Sequence, residues 1–370
     1  MVQDPPVEGS AVVTRDLERL QERLHPLFTS MSGAELLITG GAGFLGYYLV
    51  QAPLAWNRAN PGADPIRISV HDRFYRGLPA WLDELGSQVR LVERDVLAPM
   101  PADEPRFDYV IHAASIASPT YYRRFPIETM DANVGGLRLL LDEAAARAAT
   151  SSPLQGLLFF STSEIYGDPD PANIPTPETY RGHVSCTGPR ACYDESKRFG
   201  ETLCVNFAQQ RGVPVSVARP FNNYGPGLRI DDRRVIPDFA SDVLAGRDLT
   251  LLSDGSASRT FCYVADAVDG YYRVLLAGRR GEPYNIGADA PEITMRSLAE
   301  RVAEVGRRLT GYRGQVVVGT SDDPDYLTDN PNRRCPVIDK AREELGYEPE
   351  VDLDDGLERA LRWYLAEQER

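Results

Sequence analysis

The sequence predicts a doubly wound α/β fold, a parallel sheet covered by helices on both faces with a smaller second unit attached, and three observations carry that expectation. From residue 35 onward, short apolar or β-branched runs alternate with helical patterns. A glycine-rich turn, Thr39-Gly40-Gly41-Ala42-Gly43-Phe44-Leu45-Gly46, joins the first of these runs to a helix. After Arg219 the alternation gives way to short segments rich in Gly, Ser, Asp and Pro. Helices crossing between buried strands are what a parallel sheet requires.

Taken along the chain, residues 1–30 are charged and carry Leu17, Leu20 and Leu24 on one helical stripe. They read as one short amphipathic helix ended by Pro26, an appendage packed on the body or on a second subunit. Residues 36–39, 66–70, 89–92, 109–112, 157–160 and 215–219 read as successive buried strands, with helices at 133–149 and 193–210 among the crossovers. Beyond Arg219 come a turn at 222–227 and a helix at 234–245. A length of 370 residues suits two to three units. The expected division is a helical extension at 1–30, a dinucleotide-binding unit at 31–220 with a returning segment near 261–286, and a second unit formed by 221–260 and 287–370. Ligands of doubly wound sheets bind beyond the carboxyl ends of the strands, which places the expected site between the two units.

Composition narrows the function classes. A net charge of −14 with 42% hydrophobic and 25% charged residues argues against sequence-independent nucleic-acid binding and against binding to anionic membrane. An anionic small ligand would need a local basic pocket. No apolar run approaches the roughly 20 residues that span a bilayer, and the start of the chain has no secretory pattern. Five cysteines and four histidines are dispersed, so no protein metal site is expected, and an odd set of thiols suits the reducing cytoplasm.

Two motifs carry chemistry. In the G-x-x-G-x-x-G loop, glycine permits the tight turn, lets backbone approach a pyrophosphate and allows close helix-to-strand packing. Asp72 ends the second strand, where a carboxylate accepts hydrogen bonds from the adenosine ribose, favouring NAD over NADP; Arg73 and Arg76 nearby keep a 2′-phosphate partner in play. Asp95 and Val96, after the third strand, are either an adenine contact or an ordinary strand-end turn. Tyr193-Asp194-Glu195-Ser196-Lys197 sets a phenol and an amine four apart on one helical face. Of 40 basic residues only Lys197 and Lys340 are lysine, so an amine at this spacing from a tyrosine is a rare coincidence. An adjacent ammonium and a cationic nicotinamide would lower the phenol pKa toward neutrality and make Tyr193 a base.

With the glycine loop, the acid after the second strand and Tyr-x-x-x-Lys, the sequence resembles the extended short-chain dehydrogenases/reductases, the NAD-dependent epimerase/dehydratase superfamily acting on nucleotide sugars. The resemblance implies a Rossmann-type sheet with a smaller C-terminal α/β substrate-binding unit. Two segments, Ser161-Thr162-Ser163-Glu164-Ile165-Tyr166-Gly167 and Gly188-Pro189-Arg190-Ala191-Cys192 running into the Tyr-Lys motif, are similar to UDP-glucuronate decarboxylases (UDP-xylose synthases). The likeness runs from about Glu35 to Leu365 and leaves the first 30 residues uncovered.

This family implies an NAD used and regenerated in one site. Tyr193 would take the sugar 4-hydroxyl proton as hydride leaves C4, and Lys197 would lower the tyrosine pKa and hold the nicotinamide ribose. The 4-ketone lies β to the C5 carboxylate, so carbon dioxide departs; reprotonation and hydride return give UDP-xylose, and early release gives UDP-4-keto-xylose. The resemblance assigns Gly40, Gly43, Phe44, Leu45, Gly46, Asp72, Asp95 and Val96 to the cofactor together with Tyr193 and Lys197. It sets Thr162 on the reacting oxygen and Ser163 and Glu164 beside C5. Arg259 belongs to the decarboxylation end of the sugar or, as in dehydratases, to the diphosphate. Tyr122, Arg190, Asn222, Arg234 and Arg334 complete the substrate set, and a homodimer built on the helices flanking the Tyr-Lys motif is implied by the fold class. This chain departs from the family pattern at Ile116, at Leu252-Ser253 and at Ser185-Cys186-Thr187. A 4,6-dehydratase would need an acid where Ser163 stands, a 4-epimerase would not need the Ser-Glu pair, and a non-enzymatic NAD sensor would be expected to lose Tyr193 or Lys197.

Overall fold

The structure, a computed structural model, describes residues 8–101, 104–320, 328 and 331–368. Residues 1–7 of the expected N-terminal helix and parts of the segment 321–330 lie outside it. Seven parallel strands form the main sheet: β1 (Glu35–Thr39), β2 (Arg67–Asp72), β3 (Val89–Glu93), β4 (Tyr109–His112), β5 (Gly156–Phe160), β6 (Val215–Pro220) and β7 (Pro283–Ile286). Their order is β7-β6-β5-β4-β1-β2-β3, so chain order reverses between β1 and β4. The expected doubly wound fold is the observed one.

Side-chain alternation explains why these segments are strands and why helices cover both faces. Leu36 and Ile38 of β1 and Leu158 and Phe160 of β5 enter one apolar cluster. Their neighbours Leu37, Leu157 and Phe159 enter a second cluster on the opposite face. These two strands are apolar on both sides, which favours burial within a parallel sheet over placement at a wet edge. The Thr39, Asp72, His112 and Phe160 ends open together at the switch point.

The N-terminal segment forms two helices, Glu8–Arg23 and His25–Ser30. Pro26 does not end the first; it occupies the first turn of the second, where its missing N–H leaves no bond unmade. Leu17, Leu20 and Leu24 are buried against the body. Asp16, 1% exposed, accepts from the Tyr48 and Tyr263 hydroxyls at 2.6 Å each and pairs with Arg359 at 2.7 Å. The expected helix at 133–149 starts with a π-helical turn, Asp131–Gly136, before Leu137–Arg147.

Beyond β6 the chain builds smaller sheets. Ser258–Arg259 lies between Ile293–Thr294, antiparallel, and Arg333–Arg334, parallel. Leu249–Leu251 pairs with Val316–Val318. Among the described residues no helix is long and apolar enough to cross a membrane.

Candidate active site

A cleft of about 2350 Å³ opens at the carboxyl ends of β1, β2, β4 and β5 and runs to the small arginine-bearing sheet. Every site residue singled out in the sequence lines it, including Thr162, Ser163, Asn222 and Arg234.

The glycine loop leaves β1 and opens helix Gly46–Ala59. Gly40 has φ of +72°, and a Cβ there would stand 2.6 Å from Ala114 backbone. A Cβ on Gly46 would come within 2.0 Å of the Gly41 carbonyl oxygen. Only glycine lets the turn close this tightly. Asp72 sits across from the loop, its Oδ2 accepting from the Ala42 N–H at 3.0 Å and its Oδ1 from the Phe74 N–H at 2.9 Å. Burial raises its pKa and these bonds oppose that rise. This bare-backbone turn at a helix N-terminus, facing a carboxylate, fits the pyrophosphate and adenosine ribose of NAD. Gly43, Phe44 and Leu45 are part of the same wall.

Asp95 accepts from the Leu97 N–H at 3.0 Å and pairs with Arg73 at 3.2 Å. Val96 packs against Gly136 of the π turn, where an added Cβ would meet its methyl at 1.9 Å. Arg76 is held by Asp231. Arg73 and Arg76, considered as 2′-phosphate partners, are thus both engaged by carboxylates.

Tyr193 and Lys197 occupy the first turns of helix Ala191–Arg211, which packs over β5. The Tyr193 ring is stacked on Tyr122, centroids 5.0 Å apart and planes within 8°. The Tyr122 hydroxyl is buried with no hydrogen-bond partner among the described residues, and burial pushes its pKa up. Lys197 is 2% exposed; its Nζ donates to the Phe160 carbonyl at 2.7 Å and lies 5.8 Å from the Tyr193 ring.

The expected fall in the tyrosine pKa is not what the protein's own groups produce. Burial pushes Tyr193 up to about 12, Glu164 adds to the rise, and a side-chain hydrogen bond with Thr162 works against it. Burial lowers Lys197 to about 7. Desolvation disfavours the charged form of both groups, and the ammonium turns toward the Phe160 carbonyl instead of the phenol.

Residues following β5 form the other half of the site. Thr162 caps the short turn Ser163–Tyr166, accepting from the Glu164 N–H at 3.2 Å. The Glu164 carboxylate meets both Nη atoms of Arg334 at 2.6 Å each and is also hydrogen-bonded by Arg190. Burial acts to raise its pKa, but Arg190, Arg334 and Arg259 overcome it and hold the group at about 2. Arg259 donates to the backbone carbonyls of Ser258 at 2.7 Å and Asn332 at 3.1 Å, and to that of Pro331. Burial and the neighbouring Arg334 lower it to about 9. Arg234 pairs with Asp232 at 2.9 Å, and Asn222, at φ +42°, donates to the Thr260 carbonyl at 2.8 Å. The basic pocket expected from these arginines is therefore built around an internal carboxylate.

Two contributors escaped sequence reasoning. Asp232 orients Arg234 and takes the Ser118 hydroxyl on its carbonyl at 3.1 Å; its placement two residues ahead of Arg234 was the available signal. His112, read from the sequence only as the end of the fourth strand and one of four dispersed histidines, meets the Thr39 hydroxyl at 2.8 Å through Nδ1 and is lowered to about 3 by burial and by Lys197.

A glycine-loop sheet with a buried tyrosine, lysine and arginine-held glutamate at its switch point defines an enzyme that works with a nicotinamide dinucleotide. The model of the NAD dependent epimerase/dehydratase family matches residues 36–287. UDP-glucuronic acid decarboxylase 5 of Arabidopsis thaliana is 38% identical over 330 residues, 88% of each chain. UDP-glucuronic acid decarboxylase 1 of Xenopus tropicalis is 34% identical over 365 residues, 96% of this chain and 78% of the relative. Among solved structures, a dTDP-glucose 4,6-dehydratase from Streptomyces venezuelae with NAD bound superposes with a TM-score of 0.76 at 27% identity, covering 90% of this chain and 98% of that one. The chain belongs to the NAD dependent epimerase/dehydratase family and, within it, to the UDP-glucuronic acid decarboxylases, and NAD is its cofactor.

Proposed function

We propose that the protein decarboxylates UDP-glucuronate through a 4-keto intermediate to UDP-xylose, with UDP-4-keto-xylose as the alternative end point. The observation that carries this reading is the Ser163–Glu164 step: a serine, not an acid, precedes a glutamate that two arginines hold ionised beside the Tyr193 phenol. Bound in the glycine-loop half of the cleft, NAD supplies reversible oxidation at the sugar C4.

The residues then divide the remaining work. Tyr193, whose phenol pKa burial raises and the positive charge of bound NAD would lower, accepts the proton of the sugar 4-hydroxyl as the phenolate and returns it at the end, with Thr162 hydrogen-bonding the same oxygen and Lys197 completing the polar end of the site. Oxidation at C4 places a carbonyl β to the carboxylate, so the C5–carboxylate bond breaks with its electrons delocalised into the enolate, and C5 is reprotonated beside Ser163 and Glu164. Arg190, Arg234, Arg259 and Arg334, with Asn222 and Tyr122, bind the anionic substrate. Gly40, Gly43, Phe44, Leu45, Gly46, Asp72, Asp95 and Val96 hold the cofactor.

The same reading divides the chain into the helical extension, the cofactor unit and the nucleotide-sugar unit. The five unpaired cysteines support a cytoplasmic setting. Ile127, 60% exposed, and Phe199, 50% exposed, on the helices around the Tyr-Lys motif support a homodimer.

The test is incubation of purified protein with UDP-glucuronate, following carbon dioxide and product mass. Carbon dioxide with a UDP-pentose is the expected result. Its absence, with a 4-keto-6-deoxy or a 4-epimeric product from another nucleotide sugar, would overturn the reading in favour of a dehydratase or an epimerase.

A further inference from the structure

Between β2 and the helical turn Ala80–Asp83, residues 73–77 cross the cleft mouth. The segment starts just beyond Asp72 and passes through a non-glycine left-handed residue, Phe74 at φ +45°, to Gly77 at φ +83°. One end is fixed to the cofactor unit by Arg73 on Asp95 at 3.2 Å. The other reaches the opposite wall, where Arg76 Nη2 meets the two Asp231 oxygens at 3.0 and 2.9 Å. Arg229 holds the same carboxylate at 3.0 and 3.2 Å, and the next residue, Asp232, orients Arg234. The Arg76 guanidinium also lies 5.4 Å from the Tyr121 ring, and Tyr75 meets Phe125 edge-on at 6.5 Å. A chain segment leaving the cofactor acid is thus fastened, through side chains the reaction does not need, to the wall that carries a substrate arginine.

We propose that residues 73–77 are a strap over the cofactor and that the Arg76–Asp231 bridge is its fastening, making these two the positioning residues that determine which product leaves. This rests on the decarboxylase reading for the product, though not for the strap. The 4-ketone left after carbon dioxide departs is two electrons more oxidised than the pentose. It is reduced to UDP-xylose only if the electron pair removed from the C4–H bond is still in the site, with one proton from Tyr193. If the reduced cofactor leaves first, the products are UDP-4-keto-xylose, carbon dioxide and NADH. The fastened strap assigns this protein to the closed cycle.

The experiment compares wild type, Arg76→Ala, Asp231→Ala and the double variant. The dissociation rate of NADH is read by fluorescence on displacement, and the ketone share of product by mass. The single variants should release NADH about five- to tenfold faster, the scale expected for one networked surface bridge with its aromatic contact. The double variant should be no faster than Arg76→Ala, which already loses both the bridge and the aromatic contact. Raising salt should speed release from wild type, whose bridge is partly exposed, more than from the variants, which have lost that bridge and keep the Arg73–Asp95 pair. The ketone share should rise in step. Release rates within twofold of wild type, or additive in the double variant, would overturn the strap. Faster release with an unchanged ketone share would overturn its role in product choice. If no protein yields carbon dioxide, the decarboxylase reading fails while the NADH rates still decide the strap.

Discussion

Lys197 is held in the site at a cost that can be measured. Burial brings its ammonium from the ordinary 10.5 to about 7, and the Nζ donates to the Phe160 carbonyl. The unfolded chain keeps its proton up to about 10.5 whereas the folded protein releases it near 7, so between these values the unfolded state binds more protons and stability rises with pH. At pH 7 the folded group is half charged, and the cost, at 1.36 kcal/mol per pH unit, is about 4 kcal/mol; by pH 10 it falls to about 1 kcal/mol. Lys197→Met removes this cost and leaves the Phe160 carbonyl without its donor, a loss of about 1–2 kcal/mol that pH does not alter. The variant should therefore be inactive yet more stable than wild type by about 2–3 kcal/mol at pH 7, with the advantage shrinking by about 3 kcal/mol toward pH 10. Urea unfolding of nucleotide-free protein at both pH values is the assay. A variant less stable than wild type at pH 7, or a difference that does not change with pH, would refute the claim that the fold carries a desolvated ammonium here.

Three further outcomes follow from the same geometry. Tyr193→Phe keeps the ring stacked on Tyr122 and should bind UDP-glucuronate with a Kd within about threefold of wild type while losing about 10³-fold or more in kcat; calorimetry and steady-state kinetics check both. Arg334→Leu takes away the forked partner of Glu164 and should cost about 3 kcal/mol in stability. In wild type Glu164 stabilises the fold fully above its ordinary 4.5 and loses that contribution as pH falls through about 2, so the variant's acid unfolding should begin at higher pH. Gly46→Ala places a Cβ 2.0 Å from the Gly41 carbonyl oxygen and must open the loop, so NAD affinity measured by titration should fall about tenfold or more.

What the sequence made legible was whatever depends on local pattern. Six strands of the main sheet were found because each is a short apolar or β-branched run, four of them alternating between two apolar clusters and β2 and β3 feeding one. The seventh, Pro283–Ile286, is four residues long and begins with proline; its identity comes from pairing with β6, which no local pattern records. The small sheet that presents Arg259 and Arg334 consists of two-residue strands, too short for any periodicity, so those arginines were found by family likeness rather than by structure. Tyr193 and Lys197 were legible as types at a spacing, but the direction of the phenol's pKa was not, because burial by Tyr122 and the turn of the ammonium toward Phe160 are tertiary facts.

The internal carboxylate in the arginine pocket has a consequence for the proposed chemistry. A substrate carboxylate that departs as neutral carbon dioxide forfeits every salt bridge it made, so arginines that gripped it tightly would stabilise the ground state more than the transition state. Here Arg190 and Arg334 spend their strongest bonds on Glu164, and Arg259 on backbone carbonyls. The pocket remains positive enough for a UDP-sugar in an acidic protein, yet the guanidiniums near the reacting end are already paired. On the decarboxylase reading, Glu164 keeps these arginines ordered while weakening their hold on the group that must leave. Replacing it with an uncharged isostere, Glu164→Gln, should then tighten UDP-glucuronate binding by up to about tenfold and lower kcat. Looser binding with unchanged kcat would show instead that Glu164 serves the ground state.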